Sequence, residues 1–187
     1  MLVSMQLQEK NYAMWRTIMG KKFKVRVSLP RGEFNQDKCN ILLHATQFYA
    51  KKILGTRLAN LINVKVDVRK TTLEHNTLGV CHMAITGSKR QRKFRIVLNN
   101  RKDLHAQLET LAHEMVHVRQ KAKNQLQYRW DRTGLNFKVR WMDNAPVRQD
   151  DIPYSERPWE IEARQLQRGY YKDYINYVYQ QKKEGGQ

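Results

Sequence analysis

The chain lacks the sequence features of secreted and membrane-spanning proteins. Its two cysteines, Cys39 and Cys81, follow no disulfide pattern, which fits a reducing compartment. No stretch approaches the roughly 18 consecutive apolar residues of a transmembrane helix. Residues 1–24 contain no continuous apolar core, which argues against a secretory signal. We therefore expect a cytoplasmic protein with no membrane partner.

Acidic side chains are scarce. The sequence has 17 Asp and Glu against 35 Lys and Arg, which gives a formal net charge of +18. Such a surface attracts polyanions and binds nucleic acid through its phosphates. Cations are densest in residues 88–95, with a smaller group in residues 21–26. Nucleic acid or another polyanion is therefore a candidate partner, although a solubilising surface explains the charge as well, and no recognisable nucleic-acid motif is present.

Residues 113–117 read His-Glu-Met-Val-His, which is the HExxH pattern. On a helix this spacing places two imidazoles on one face, where both can reach one Zn²⁺. The carboxylate between them is placed to take a proton from a metal-activated water. The pattern predicts His113 and His117 as metal ligands and Glu114 as a general base.

The surrounding sequence predicts a helix that begins after Asp103, a suitable N-cap, and ends among basic residues. His113 and His117 fall nearly opposite its apolar stripe, beside the small residues Ala106 and Thr110, which leaves room for a cleft. The stripe consists of Leu104, Leu108, Leu111, Met115, Val118 and Ala122.

A third ligand must come from another part of the chain. No His follows His117 and both cysteines precede it, so zincins with a downstream third His are excluded. A downstream ligand must therefore be Asp or Glu. The best segment is a predicted helix with start signals at Ser155 and Pro158. Glu160 falls at the edge of its apolar stripe and is the favoured ligand, and Glu162, which points away, is the alternative.

These elements resemble a known family. The HEMVH helix, a gap of 42 residues (118–159) and the PWEIEAR element are similar to the phage metallopeptidases, which are small zincins encoded by tailed bacteriophages. The resemblance covers roughly residues 36–180. It implies a zinc-dependent peptidase with His113, His117 and Glu160 as zinc ligands and Glu114 as the base. It also implies a location in the host cytoplasm or the virion.

A looser similarity connects the chain to the SprT-like metalloproteases, which share its small size and basic character. That similarity fails at two points. Those proteins use a downstream third His, and many carry a cysteine-rich zinc ribbon, and this sequence contains neither.

The hydrophobic pattern predicts one α+β, zincin-like domain over residues 1–187. We expect a small mixed or antiparallel sheet packed on the HExxH helix, with a C-terminal helix that supplies the third ligand. Residues 1–35 form an N-terminal extension, and residues 182–187 a frayed tail. The other predicted elements are helices at 5–18 and 36–58, strands at 23–29, 62–68, 78–85 and 94–98, a hairpin at 128–141 and a loop at 142–157.

Three classes of function remain open from the sequence. The first is an active zinc peptidase acting on a polypeptide. The resemblance implies that a strand bordering the cleft, one of the two before the HExxH helix within residues 78–98, holds the substrate. The second is a structural protein, such as a virion component with virion partners. The third is a nucleic-acid-associated factor with structural zinc. A catalytic site also needs an oxyanion donor, and Tyr154 is the nearest candidate in sequence, although a packing aromatic is the favoured interpretation of this residue.

Overall fold

The computed structural model describes residues 23–30, 35–70, 78–83, 91–130 and 137–184. Helices and two small sheets make up these residues, so the predicted α+β class is confirmed. The helix predicted at residues 5–18 and the basic residues Lys21, Lys22, Lys89 and Arg90 lie outside the described residues. No described helix combines the length and the apolar character needed to cross a bilayer.

The larger sheet has four strands in the order β1-β2-β4-β3. Their bounds are Lys24–Ser28 for β1, Asn63–Arg69 for β2, Gly79–Met83 for β3 and Lys93–Asn99 for β4. The strands β1, β2 and β4 run parallel, and β3 is an antiparallel strand at the edge. Apolar residues alternate with polar ones along β1, β2 and the first half of β4, so one face of the sheet packs on helices.

Helix α1 spans Gln36–Tyr49 and continues as a π-helical turn over Ala50–Leu54. The single helix predicted at 36–58 is wrong at one point, because Gly55 interrupts it with a φ of 77° before the short helix α2, Thr56–Ala59. Glycine adopts this conformation without the steric cost of a Cβ, which explains the break.

Helix α3, Leu104–Ala122, carries the HExxH residues and is mostly buried. The predicted N-cap is confirmed, since Asp103 Oδ1 accepts a hydrogen bond of 2.8 Å from the backbone N–H of Ala106. At the other end Arg92 donates to the carbonyl of Ala122 at 3.0 Å. This contact places a positive charge at the negative end of the helix dipole and stabilises the end of the helix. The predicted apolar stripe lies in the main core, where Leu111, Met115 and Val118 are fully buried.

The predicted hairpin is confirmed as β5, Leu126–Trp130, and β6, Phe137–Trp141, and a short β7, Val147–Arg148, joins it as a third strand. The segment 142–157, predicted as a loop, contains β7 and two 3₁₀ turns. Helix α4, Pro158–Glu184, begins at the predicted proline and packs against α3. It includes residues 182–184 of the expected frayed tail, and residues 185–187 lie outside the described residues.

Candidate metal centre

The two histidines of the HExxH pattern face each other, one turn apart on α3. Their Nε2 atoms lie 3.1 Å apart, and both side chains are largely removed from solvent. This arrangement follows from the i, i+4 spacing, which stacks side chains on one face of a helix. The pair stands on the side of α3 that meets α4.

Glu160 enters the site from the first turn of α4. Its Oε2 lies 3.4 Å from His113 Nε2, and its Oε1 lies 3.4 Å from His117 Nε2. A tetrahedral zinc ion with bonds of about 2.05 Å separates its ligand atoms by about 3.3 Å. The three side chains are therefore spaced as the donors of one tetrahedral ion, and they form a potential metal-binding cluster among the described residues.

Glu162, the alternative third ligand, is engaged elsewhere. Its Oε2 lies 2.6 Å from Arg119 Nη2 and accepts a hydrogen bond of 2.8 Å from Gln120 Nε2. Two residues along a helix correspond to a rotation of about 200° about the helix axis, so Glu162 and Glu160 point in different directions. The structure brings Glu160, and not Glu162, to the histidines.

A glutamine determines the tautomer of His117. Gln120 Nε2 donates to the backbone carbonyl of Trp159 at 3.0 Å and to Glu162 at 2.8 Å, and both partners are acceptors only. The amide oxygen of Gln120 must therefore face His117 Nδ1, which lies 2.8 Å away. That ring nitrogen must carry a proton, so Nε2 of neutral His117 presents a lone pair.

A second glutamine determines the tautomer of His113 through the same kind of hydrogen bond. Gln167 Nε2 points to the carboxylate of Glu109 at 3.4 Å, so its oxygen faces His113 Nδ1 at 2.8 Å. Metal-ligating histidines commonly donate their other ring N–H to such an acceptor, which orients the ring. Neither glutamine was identified from the sequence. Gln120 lies only three residues after His117, so helix geometry could have found it, whereas the position of Gln167 depends on how α4 packs.

The donor set fits a zinc ion. With both Nδ1 atoms protonated, two lone pairs face each other across 3.1 Å beside a carboxylate. Such an arrangement is repulsive unless a positive charge lies between the groups. Two imidazoles and one carboxylate are donors that zinc accepts, and three protein ligands leave one tetrahedral position for water or substrate.

Glu114 lies beside the cluster but is not a member of it. Its side chain is 4% exposed and lines the same cavity as the three ligands. Burial raises the pKa of Glu114, and the neighbouring His117, His113 and Lys121 only partly oppose this effect. A carboxyl group with a raised pKa is better suited to receive and return a proton near neutral pH.

The pKa values of the ligands reflect their contacts. Burial alone would raise the pKa of Glu160, but hydrogen bonds from His113 and His117 outweigh it and hold the pKa well below its usual value. Burial lowers the pKa of His113, and the opposing contact with Glu160 leaves it raised overall. Glu160 is therefore ionised at neutral pH, as a metal ligand must be.

A cavity of about 320 Å³ opens onto the cluster. The edge strand β3 forms one wall through Gly79, Val80 and Cys81, and the region after β6 forms another. An edge strand carries backbone groups with no partner strand on one side, which is where an extended peptide can add. β3 borders the cavity and lies within residues 78–98, where the family resemblance implied a strand bordering the cleft.

Gly79 allows β3 to approach α3 closely. A Cβ at this position would lie 2.5 Å from Thr110 Cγ2 and 3.3 Å from Glu114 Oε1. A side chain here would therefore push the strand away from the helix or displace the Glu114 carboxylate. The contact keeps the cavity wall against the HExxH helix.

Tyr154 also belongs to the site, contrary to the interpretation favoured from sequence. Its hydroxyl donates a hydrogen bond of 2.8 Å to Glu160 Oε2, and its ring lines the cavity. Burial and the contact with Glu160 raise the pKa of Tyr154, so the hydroxyl keeps its proton at neutral pH. A short 3₁₀ turn, Tyr154–Glu156, brings it there just before α4 begins.

Four further cavity residues were not identified from the sequence: Lys121, Tyr128, Gln149 and Arg157. Lys121 donates to the carbonyl of Cys81 at 2.7 Å, which ties α3 to β3, and its ammonium lies 5.6 Å from the centre of the Tyr128 ring. Arg157 lines the opposite wall and donates to the carbonyl of Ile152 at 3.1 Å. Lys121 follows His117 by four residues and could have been found from helix geometry, whereas Tyr128 and Arg157 depend on tertiary packing.

Comparison with protein-family models, with curated proteins and with solved structures finds no match to this chain. Its function is therefore inferred from the site itself.

Proposed function

We propose that this protein is a zinc-dependent peptidase with a zincin-like site, related to the phage metallopeptidases. One observation carries the proposal: His113, His117 and Glu160 stand at tetrahedral spacing beside a buried carboxylate, in a cavity bordered by an edge strand. Fold class alone would not support an activity, but this combination of groups is suited to metal-assisted hydrolysis.

Each group has a distinct role in peptide hydrolysis. Zinc held by the three ligands would supply a Lewis acid that polarises the scissile carbonyl and acidifies water. Glu114 accepts a proton from the attacking water and delivers it to the leaving amine. Gln120 and Gln167 hold the imidazoles of His117 and His113 in the tautomer that keeps Nε2 free for the metal.

Tyr154 is placed to stabilise the negative charge that develops on the carbonyl oxygen. Its protonated hydroxyl lies at the ligand cluster, where it donates to Glu160 Oε2, and the residue lines the cavity. In the oxyanion role the same O–H turns from Glu160 to the carbonyl oxygen of the substrate. A hydrogen-bond donor aimed at a developing oxyanion stabilises the transition state. If Tyr154 has this role, Tyr154→Phe lowers kcat more than it changes KM. An unchanged kcat would show that Tyr154 does not stabilise the oxyanion.

The substrate is an extended polypeptide that pairs with β3. Backbone hydrogen bonds to an edge strand hold a peptide with little regard to its side chains, and this orients the scissile bond over the metal centre. The resemblance to phage enzymes makes virion proteins the first substrates to test and the host cytoplasm the expected location.

The decisive experiment compares wild type with Glu114→Gln, using Glu156→Gln on the exposed turn as the matched control. We expect Glu114→Gln to keep its zinc and its fold but to lose cleavage of a peptide library, because an amide cannot take a proton from water. Glu156→Gln should cleave as wild type does. Equal processing of every peptide and virion protein by wild type and Glu114→Gln would contradict the proposal.

A further inference from the structure

The four-stranded sheet has a strongly basic face on the side away from the core. Val25, Val66 and Ile96 point into the core, so their strand neighbours point the other way. Among the described residues these neighbours include six cations and a single carboxylate, Asp67. We call this surface the basic face, and its cations are Lys24, Arg26, Lys65, Arg69, Lys93 and Arg95.

The strand pairing aligns these cations in rows. Arg26 pairs with Lys65, and Lys65 pairs with Arg95 on the next strand. Lys24 and Lys93 both pair with Asn63, so they flank β2. With strands about 4.8 Å apart and about 3.3 Å per residue, the cations cover an area of roughly 10 by 20 Å. This area forms only because β4 adds next to β2, which brings residues 24–26 and 93–95 onto one surface.

Asp67 organises the middle of the basic face. Its buried carboxylate accepts a hydrogen bond from Ser28, lies 2.6 Å from Arg95 Nε and lies 3.2 Å from Lys65 Nζ. The side chains of Lys65 and Arg95 nevertheless remain 42% and 40% exposed. One anion therefore holds cationic side chains in place without neutralising the surface, and less ordering entropy is lost when a ligand binds.

We propose that the basic face binds the phosphate backbone of a nucleic-acid duplex. Its area of about 10 by 20 Å is sufficient to contact phosphates on both sides of a groove about 12 Å wide. Proteins that bind single strands stack bases on aromatic side chains. The described residues of the basic face include no Phe, Tyr or Trp. The contacts are with phosphates only, so binding is tolerant of sequence.

This inference does not rest on the peptidase proposal. The ligand cluster lies between α3 and α4, whereas the basic face lies on the side of the sheet away from α3. The Glu114→Gln variant should therefore bind a duplex as wild type does. Loss of one activity leaves the other measurable in the same preparation.

The test is a titration of labelled duplex DNA, with single-stranded DNA of the same sequence as a comparison, at two salt concentrations. The variant Lys24→Gln/Arg69→Gln/Lys93→Gln removes three cations of the basic face. It retains Ser28, Lys65 and Arg95 beside Asp67 and removes only the longer ion pair, in which Arg69 Nη2 lies 3.6 Å from Asp67 Oδ2. The control variant removes three exposed cations of α4 through the substitutions Arg168→Gln, Lys172→Gln and Lys182→Gln. Both variants lose the same net charge, so the comparison separates a defined surface from general attraction.

We expect wild type and the α4 variant to bind duplex DNA more tightly than single strands. The basic-face variant should bind about tenfold more weakly, and its slope of log K against log salt should be shallower by about 0.9 for each phosphate that the protein no longer neutralises. An equal loss of affinity in both variants, tighter binding of the single strand, or no binding by wild type would overturn the proposal.

A measurement on wild type avoids any effect of substitution on folding. Lysines are acetylated with and without duplex DNA, and the modified positions are identified by mass spectrometry. The proposal requires the duplex to protect Lys24, Lys65 and Lys93 while Lys172 and Lys182 stay reactive. Equal protection of both sets, or protection of neither, would contradict it.

Discussion

At the residue scale, the orientation of the ligand side chains depends on two glutamines. His113 and His117 each donate Nδ1–H to a glutamine oxygen. The NH₂ group of each glutamine donates to another acceptor, which keeps the glutamine oxygen turned towards its histidine. The imidazoles are therefore fixed before a metal binds, and this lowers the entropic cost of forming the site.

We predict that Gln167→Ala weakens zinc binding by about 10- to 100-fold, because His113 loses the acceptor that fixes its tautomer and ring orientation. Gln165→Ala, two residues earlier on the exposed side of α4, is the control and should leave affinity unchanged. Competition with a chromogenic chelator measures both variants. Equal zinc affinity for Gln167→Ala and wild type would show that the hydrogen bond does not orient the ligand.

At the element scale, the cavity depends on contact between β3 and α3. Gly79→Ala should lower the free energy of unfolding by about 1–3 kcal/mol, because the new methyl group overlaps Thr110 Cγ2. It should also reduce peptide cleavage, because the methyl group comes close to the Glu114 carboxylate. Urea unfolding and a cleavage assay measure the two effects.

The double variant Gly79→Ala/Thr110→Ser provides the control for this contact. Serine lacks the methyl group of threonine but keeps the hydroxyl that donates to the carbonyl of Ala106 at 2.7 Å. We expect it to regain most of the stability that Gly79→Ala removes. Failure to recover would show that the cost of Gly79→Ala arises from strand conformation and not from the overlap with Thr110.

The buried carboxylate of Asp67 makes the stability of the sheet depend on pH. Burial raises its pKa, but hydrogen bonds from Ser28, Arg95 and Lys65 outweigh this and lower it overall. Its stabilising contribution is therefore present above the unfolded pKa of about 3.9 and is lost as the pH falls through the lower folded value.

We predict that Asp67→Asn lowers the free energy of unfolding by about 1.5–3 kcal/mol at pH 7. The difference in stability between wild type and this variant should become smaller below about pH 4. Asp173→Asn, which breaks an exposed pair with Lys52, is the control and should cost less than about 1 kcal/mol. Urea unfolding at both pH values measures these changes. A difference for Asp67→Asn that stays constant with pH would contradict the assigned ionisation.

At the scale of the whole molecule, local patterns were predictable from the sequence and long-range placement was not. The i, i+4 spacing of His113 and His117 determines their geometry within one helix, so the pair was predicted correctly. The amphipathic pattern of α4 favoured Glu160 over Glu162, and its packing on α3 agrees. Tyr154 was considered from the sequence but interpreted as a packing aromatic, and Gln167 was not identified, because tertiary packing and not a local pattern brings both residues to the histidines.

The sheet shows the same division between local and long-range structure. Each strand of the larger sheet was predicted to within about two residues from its alternating pattern, apart from the end of the segment 78–85, which lies outside the described residues. The order β1-β2-β4-β3 depends on contacts distant in sequence, so the basic face could not be read from the chain. The sequence showed its cations as a dense group at residues 88–95 and a smaller group at 21–26, whereas the structure combines cations of β1, β2 and β4 on one face.

We propose that α3 and α4 together hold one zinc ion through His113, His117 and Glu160. Elemental analysis of purified wild type, Glu160→Gln and Glu162→Gln tests it most directly. We predict close to one zinc per chain in wild type and in Glu162→Gln, and loss of zinc on dialysis from Glu160→Gln, because only Glu160 faces both histidines. Full zinc retention in Glu160→Gln, or wild type that binds no zinc, would contradict the account.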